Sequence, residues 1–350
     1  MGSYPVNEIL TLLLIIASRS KLLFSMSLIF GIIISISSSS WLMVWIGLEI
    51  NLLSFIPIIS SAFNQYRTEI TLKYFLIQAL RSSCILVGVL LSSYSNTFSS
   101  LIIAAALIIK IGGAPFHFWF IDVIKQLNWL QIIILNTFQK ISPIILISYL
   151  MHQHVRQNII ILSIIISSLL GGLGGLSQRY LNKIIAYSSL NHIGWILQRL
   201  SISIYLWFLY FITYCILLSS ICLIFHFFKV KHLKQLINKI GNNFIAKIII
   251  AFPLISLAGL PPFSGFIMKI IVIFQLIRQN QIFVTIILIS SSLLRLFFYF
   301  RIIIRSIIIS TEKRKAIDIR EILKINNKTR MIFFFNFFAI LFPSFFLVLI

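Results

Sequence analysis

The chain has 350 residues, a mean hydropathy of +1.05, 59% apolar residues and only 10% charged ones. Soluble domains carry about 25% charge, so the composition excludes an ordinary soluble protein and implies an all-α, polytopic membrane protein filled by one membrane domain. The net charge of +22, from 29 Lys+Arg against 7 Asp+Glu, would suggest nucleic acid in a soluble chain, but its placement here has a topological reading.

Met1 to Ala17 holds a short apolar run, but Arg19 and Lys21 follow it instead of preceding it, the wrong order for a signal peptide. Eleven spans are then expected, at 22–40, 41–62, 71–93, 99–124, 129–151, 157–175, 180–200, 203–228, 245–277, 281–304 and 331–349, with a polar loop from Ser310 to Arg330. The N-terminus and the connections after spans 2, 4, 6, 8 and 10 hold nearly all the loop charge, including Arg67, Lys125, Arg179, Lys229, Lys231 and Lys313. The other connections hold little beyond Arg156, Arg199 and Arg278. This is the positive-inside pattern, and it places the N-terminus on the negative side and the C-terminus on the positive side. The basic loops are also able to meet anionic lipid headgroups.

Four ionisable residues sit inside these spans, where a charge at the bilayer centre costs roughly 2.5–3.5 kcal/mol. Glu49, in span 2, needs a cationic partner or a proton, and Lys110 is the candidate partner. Span 4 is interrupted at Lys110-Ile111-Gly112-Gly113-Ala114-Pro115-Phe116-His117, and span 9 at Gly259-Leu260-Pro261-Pro262-Phe263, with Lys269 just beyond. Proline removes a backbone donor, so carbonyls near Ile111, Leu257 and Ala258 are left without helical partners. Lys140, mid-way along span 5 beside Pro143, is roughly 15 Å of helix from either end, too far to snorkel. Plainer roles stand beside the functional one: a structural ion pair for Lys140, a freed carbonyl for Lys110, snorkelling for Lys269. His117 and His192 are either hydrogen-bonded core residues or proton relays.

Spans 4 and 9 are five apart, so they cross in opposite directions. Spans 1–5 (22–151) and 6–10 (157–304) then form an inverted repeat of five helices each, with two broken helices and a C-terminal helix (331–350) left over, a transporter signature. Gly171-Gly172-Leu173-Gly174-Gly175 contains a GxxxG that marks close helix packing. Cys84, Cys215 and Cys222 form no CxxC and are expected to be small core residues. No His/Cys/Asp/Glu spacing suggests a metal.

The runs Trp45-Ile46-Gly47-Leu48-Glu49-Ile50-Asn51, Gly113-Ala114-Pro115-Phe116-His117-Phe118-Trp119, Asn191-His192-Ile193-Gly194-Trp195 and Gly259-Leu260-Pro261-Pro262-Phe263-Ser264-Gly265-Phe266 together closely resemble the subunit 2 family of mitochondrial NADH:ubiquinone oxidoreductase, respiratory complex I. The resemblance covers about residue 18 onward, leaving 1–17 as an extension. It implies an antiporter-like, proton-pumping subunit of the membrane arm in the mitochondrial inner membrane. The N-terminus and basic loops would face the matrix and the C-terminus the intermembrane space.

Glu49 would be the acid of the entry-side pair, Lys110 its lysine, Lys140 the central lysine and Lys269 the exit-side lysine. His117 and His192 would belong to a hydrated polar axis. Gly112, Gly113, Pro115, Pro261 and Pro262 would form the helix breaks. No cofactor is implied in this chain; NAD, FMN, iron–sulfur clusters and ubiquinone belong to other subunits, so this chain does no redox chemistry itself. Partners would be other complex I subunits, above all neighbouring antiporter-like ones, and lipids; nucleic acid would not be one. Two rivals are a stand-alone sodium/proton antiporter and a structural subunit whose buried charges only support assembly. Arg81, Arg199 and Arg295 depart from the family, standing where small or hydroxyl residues are expected. With only 6 Met amid many Ile, this suggests translation with an unsuitable genetic code, since many animal mitochondria read AUA as Met and AGA/AGG as Ser.

Overall fold

The computed structural model describes residues 5–60, 65–151, 154–240, 244–261 and 263–308. Pro262, the polar stretch 310–330 and the expected span 331–349 lie outside them. Among the described residues the structure is helical, with an isolated bridge between Tyr180 and His232 and no strand. The helices are α1 (Pro5–Ser37), α2 (Trp41–Ile59), α3 (Gln65–Leu91), α4 (Asn96–Ile111), α5 (Phe118–Gln126), α6 (Trp129–Asn136), α7 (Phe138–Leu150), α8 (His154–Gly174), α9 (Leu181–Leu200), α10 (Ile204–Phe227), α11 (Leu233–Ile240), α12 (Phe244–Ala258), α13 (Ser264–Arg278) and α14 (Ile282–Ile308).

Among the described residues, five stretches are long and apolar enough to cross a membrane: Trp41–Ile59, Arg67–Leu91, Trp129–Leu150, Ile204–Phe227 and Ile282–Arg305. Shorter apolar helices fill the spaces between them. Several boundaries differ from expectation. α1 begins at Pro5, well before residue 22, because no glycine or proline between Val6 and Phe30 stops it. Span 4 divides into α4 and α5, and span 9 into α12 and α13. Span 5 also divides, at Thr137 (φ −107°, ψ −81°), which separates α6 from α7. Pro143 removes a donor to the preceding turn, and the helix resets within two turns upstream of it. α11, expected as loop, is an amphipathic helix with Leu233 and Leu236 buried and Lys234 exposed. Cys84 lies on the outward face of α3, not in the core; only Cys222 is fully buried.

Glycine sets the closest helix pairs. A Cβ on Gly31 (α1) would lie 2.9 Å from the backbone N of Asn51 (α2), and one on Gly47 would lie 2.7 Å from the backbone N of Ser35. In α8 the same role falls to Gly171, whose Cβ would collide with the backbone N of Asn191 in α9. Gly175 makes room for the Phe298 ring. The GxxxG motif is therefore a packing seam.

The basic connections meet at one end of the bundle. Arg67 donates to Asn128 Oδ1 (3.0 Å), and Gln131 to the Ile58 carbonyl (2.7 Å). Trp129 Nε1 donates to the Val230 carbonyl (2.9 Å), and Asn182 to the Lys125 and Leu127 carbonyls (both 3.2 Å). Arg301 closes the end of α8 by donating to the carbonyls of Gly175, Leu176 and Gln178. The opposite end carries the sparsely charged connections.

Candidate functional site

Each buried lysine sits at or beside a place where a helix is broken or reset. Lys110 is the penultimate residue of α4, 6% exposed. α4 stops because Gly112 takes a left-handed turn (φ +78°), and a Cβ there would press into Phe120 at 2.8 Å. The backbone N–H groups of Gly112 and Gly113 tie off the carbonyls of Ile109 and Ile108 (3.1 and 2.9 Å), and Trp119 Nε1 donates to Ile109 (3.2 Å). The Lys110 ammonium therefore turns to α2, where its nearest acceptor is the Leu48 carbonyl at 3.5 Å.

This corrects the expected Glu49–Lys110 pair. Glu49 is half-buried and within electrostatic reach of Lys110 and Arg81, but among the described residues it forms no ion pair. The ion pair present joins Lys73 to Glu69 (2.6 Å) on the exposed face of α3.

Lys140 is 1% exposed, in the first turn of α7 just past the reset at Thr137. Its ammonium donates to Asn136 Oδ1 (2.9 Å) at the end of α6 and lies 4.8 and 5.7 Å from the ring centres of Phe120 and Tyr214. The Tyr214 hydroxyl also points at Asn136 Oδ1 (3.4 Å), and the Tyr214 ring packs on His192 with centres 4.8 Å apart. His192 shares a hydrogen bond with the Tyr210 hydroxyl (Nδ1 to O, 2.7 Å), while its Nε2 has no partner among the described residues.

A cavity of about 10 Å³ connects His192, Tyr210 and Tyr214 to Lys269, about the smallest space that holds one water. Lys269, 6% exposed, donates to the Ala258 carbonyl, the last of α12, and lies 5.8 Å from the Trp195 ring centre. That carbonyl is one that the prolines of the second break deprive of a helical donor. Gly259 (φ +80°) leaves the space: a Cβ there would lie 2.5 Å from the Lys269 ammonium.

The residues thus form two groups. Lys140, His192 and Lys269 are linked through Asn136, Tyr214 and the small cavity. Lys110 and Glu49 meet at α2, which is joined to α7 by Asn51 Oδ1, accepting from Gln139 (2.7 Å), while Tyr74 of α3 also donates to Gln139 (3.4 Å). His117 remains at the first break, hydrogen-bonded to the Pro115 carbonyl (3.1 Å) and packed on Phe118. Gly113 and Pro115 lie in the same break, and Pro261 in the second. Asn51, Asn136, Gln139, Tyr210 and Tyr214 were missed by sequence reasoning. Their signal was available: amides and phenols inside otherwise apolar spans.

Arg81, Arg199 and Arg295 are fully buried. Nε and Nη1 of Arg81, Nε and Nη2 of Arg199 and all three Arg295 nitrogens lack an acceptor in bonding geometry among the described residues, although the Tyr210 hydroxyl lies near Arg295.

Comparison with known proteins identifies the family. The family model described as "NADH:quinone oxidoreductase/Mrp antiporter, TM" matches residues 38–97 and 89–294. The NADH-ubiquinone oxidoreductase chain 2 proteins of Anopheles gambiae and Gallus gallus are 43% and 36% identical to this chain over 292 and 300 residues, covering 81% and 83% of it and 84% and 86% of themselves. A chain of respiratory complex I from Thermus thermophilus with bound aureothin superposes with a TM-score of 0.79 at 18% identity, over 92% of this chain and 78% of that one. A chain of the Mrp complex from a Dietzia species gives 0.70 at 17%, over 80% and 59%. With the family model spanning both helix breaks and relatives this similar over most of their length, the chain belongs to the NADH-ubiquinone oxidoreductase chain 2 family of NADH:quinone oxidoreductase/Mrp antiporter membrane proteins.

Proposed function

We propose that this chain is a proton-translocating, antiporter-like subunit of the membrane arm of respiratory complex I, using Glu49, Lys110, Lys140 and Lys269 as its charge-carrying axis. The observation that carries the reading is the company the three lysines keep. Each ammonium is buried, and each is held by a neutral oxygen: the Leu48 carbonyl, the Asn136 amide and the Ala258 carbonyl. Such a group is able to gain or lose its proton without stranding a carboxylate charge. The matching Gly31–Asn51 and Gly171–Asn191 contacts support an inverted repeat with α1–α2 equivalent to α8–α9.

The mechanism is electrostatic. Lys140 and His192 lie on the same Tyr214 ring, 5.7 and 4.8 Å from its centre. They are therefore within about 10 Å, where two unit charges at an effective dielectric of about 20 interact by roughly 1.7 kcal/mol, more than tenfold in proton occupancy. One elementary charge moved against the membrane potential costs about 2.3 kcal/mol per 100 mV, so a few such couplings in series match the task. Redox energy comes from other subunits. The inner mitochondrial membrane is the setting, with the basic end toward the matrix.

The test is Lys140→Met in the assembled complex. The expected result is loss of protons moved per electron pair while the complex still assembles, because Met fills the site and Tyr214 remains to satisfy Asn136. A normal ratio refutes the assignment and favours a purely structural subunit. Sodium/proton flux by the purified chain alone would favour the stand-alone antiporter.

A further inference from the structure

We propose that the Gln198–Gln281 pair forms the water gate through which Lys269 reaches the membrane face opposite the basic connections; this deepens the proposed function and rests on it. Two cavities open on that face. One, of about 350 Å³, is lined by Ser38, Ser40, Ser92, Asn96, Ser99 and Ser100 at the mouth of α2 and α4. Inward of it stand Val44, Ile103 and Leu146, then Leu48 and Leu107, both buried apolar side chains. Its hydroxyls bond to their own helices three residues back, as Ser92, Ser99 and Ser100 do. Nothing polar continues from this cavity along α4 toward Lys110.

The second cavity, of about 370 Å³, is lined by Ile160, Ile164, Ser201, Gln279 and Gln281, where α9 and α13 end and α14 begins. Here polar groups do continue inward. Gln281, half-buried at the cavity wall, accepts from Gln198 Nε2 (3.1 Å), and Gln198 is 1% exposed. The Gln198 carbonyl oxygen, Oε1, is buried with no partner among the described residues. One turn further along α9, about 4.5 Å, the Trp195 Nε1 is likewise without a partner, and the Lys269 ammonium rests 5.8 Å from that indole ring. A further turn brings His192 with its bare Nε2.

Two buried polar side chains, Gln198 and Trp195, therefore carry unsatisfied atoms on α9 between the cavity and the lysine, with Arg199 beside Gln198 at the cavity end and the His192 Nε2 just beyond the lysine. Buried polar groups almost always find a partner, and those that the protein itself leaves unpaired are usually met by ordered water. Water joining these atoms gives Lys269 a path outward, closed by the amide–amide hydrogen bond and opened when it parts. The first cavity has no such continuation along α4 toward Lys110; the unsatisfied Ser142 Oγ belongs instead to the Lys140 turn of α7, so it is Lys269 that this path serves.

The test has two arms in the assembled complex in its membrane. Gln281→Cys is treated with a charged, membrane-impermeant thiol reagent from each face, with the unsubstituted chain as background. Labelling from the face opposite the basic connections, with a fall in protons per electron pair once the adduct forms, is the expected result; no labelling there overturns the gate. In the second arm Gln198→Leu lowers the ratio and Gln198→Asn keeps it. If Lys140→Met lowers the ratio and Gln198→Leu does not, the subunit pumps by another exit and the gate is wrong. If neither lowers it, the proposed function fails and the gate with it.

Discussion

Two glycines six residues apart at the second helix break make opposite predictions. At Gly259 the backbone is left-handed (φ +80°), and an added Cβ would sit 2.5 Å from Nζ, 2.8 Å from Cε and 3.0 Å from Cδ of Lys269. All three atoms belong to the free end of a flexible side chain, so the ammonium moves and the fold does not. The left-handed conformation costs an Ala about 1–2 kcal/mol, and the displaced bond to the Ala258 carbonyl is worth about 1.5–3 kcal/mol as a hydrogen bond to a charged group. The lost bond alone depopulates the native Lys269 position by about one to two orders of magnitude, and the sum with the strain, about 2.5–5 kcal/mol, does not exceed the roughly 5–15 kcal/mol that holds a domain folded.

At Gly265 an added Cβ would collide with the backbone carbonyl of Ser256, where α13 presses against α12. A backbone atom does not swing aside, so the junction itself must open. Gly259→Ala is therefore expected to leave the amount of assembled complex, read on native gels, near normal while cutting protons pumped per electron pair. Gly265→Ala is expected to lose assembled complex first. A Gly259→Ala complex that pumps at the normal ratio would refute the claim that the Lys269 position matters. Identical behaviour of the two variants would refute the distinction between side-chain and backbone collisions.

Gly171→Val places a branched side chain against the Asn191 backbone, at the seam of α8 and α9. It should deplete assembled complex, because overpacking such a seam costs about 1–3 kcal/mol or more; normal assembly would show that the seam is loose. Peptide mass spectrometry of the mature subunit is expected to find small or hydroxyl residues at 81 and 295. A buried guanidinium without acceptors costs several kcal/mol, whereas a serine there would bond its own helix as Ser82 and Ser291 do (2.8 and 2.9 Å). Arginine at both positions would sink that reading.

The buried lysines were legible because a charge in an oily run stands out against its neighbours, and the breaks beside two of them because Gly and Pro have backbone consequences wherever they occur. The freed Ala258 carbonyl was legible for the same reason, although snorkelling was the plainer role expected of Lys269, and the ammonium occupies that carbonyl. The partner of Lys110 was not. Which atom of α2 it meets depends on the rotation of α2 about its own axis, and a helix apolar on nearly every face carries no stripe to set that rotation. The result was Leu48 in place of Glu49. The reset at Thr137 was hidden because neither Gly nor Pro marks it. α11 was hidden by short length and a lysine-rich context, although Leu233 and Leu236 already had helical spacing. Cys84 faces outward because a lipid-facing position tolerates any small side chain, so composition alone cannot sort it from the core.

The neutral partners also explain why one acid suffices among so many buried bases. A lysine locked to a carboxylate holds its proton strongly and, once it loses it, leaves a buried anion behind, costly by several kcal/mol. A lysine on a carbonyl or amide oxygen has no such debt, and its charge state follows the field of its neighbours. Lys140 is the clearest case: a single amide holds it, two aromatic faces surround it, and Tyr214 connects it to His192. Glu49, half-buried and next in sequence to the Leu48 contact of Lys110, would in the proposed relay bias the row from its end without capturing a proton in it. Under the proposed function, such a row would be responsive at its centre and anchored at its edge, the distribution a charge relay requires and a set of structural ion pairs would not have.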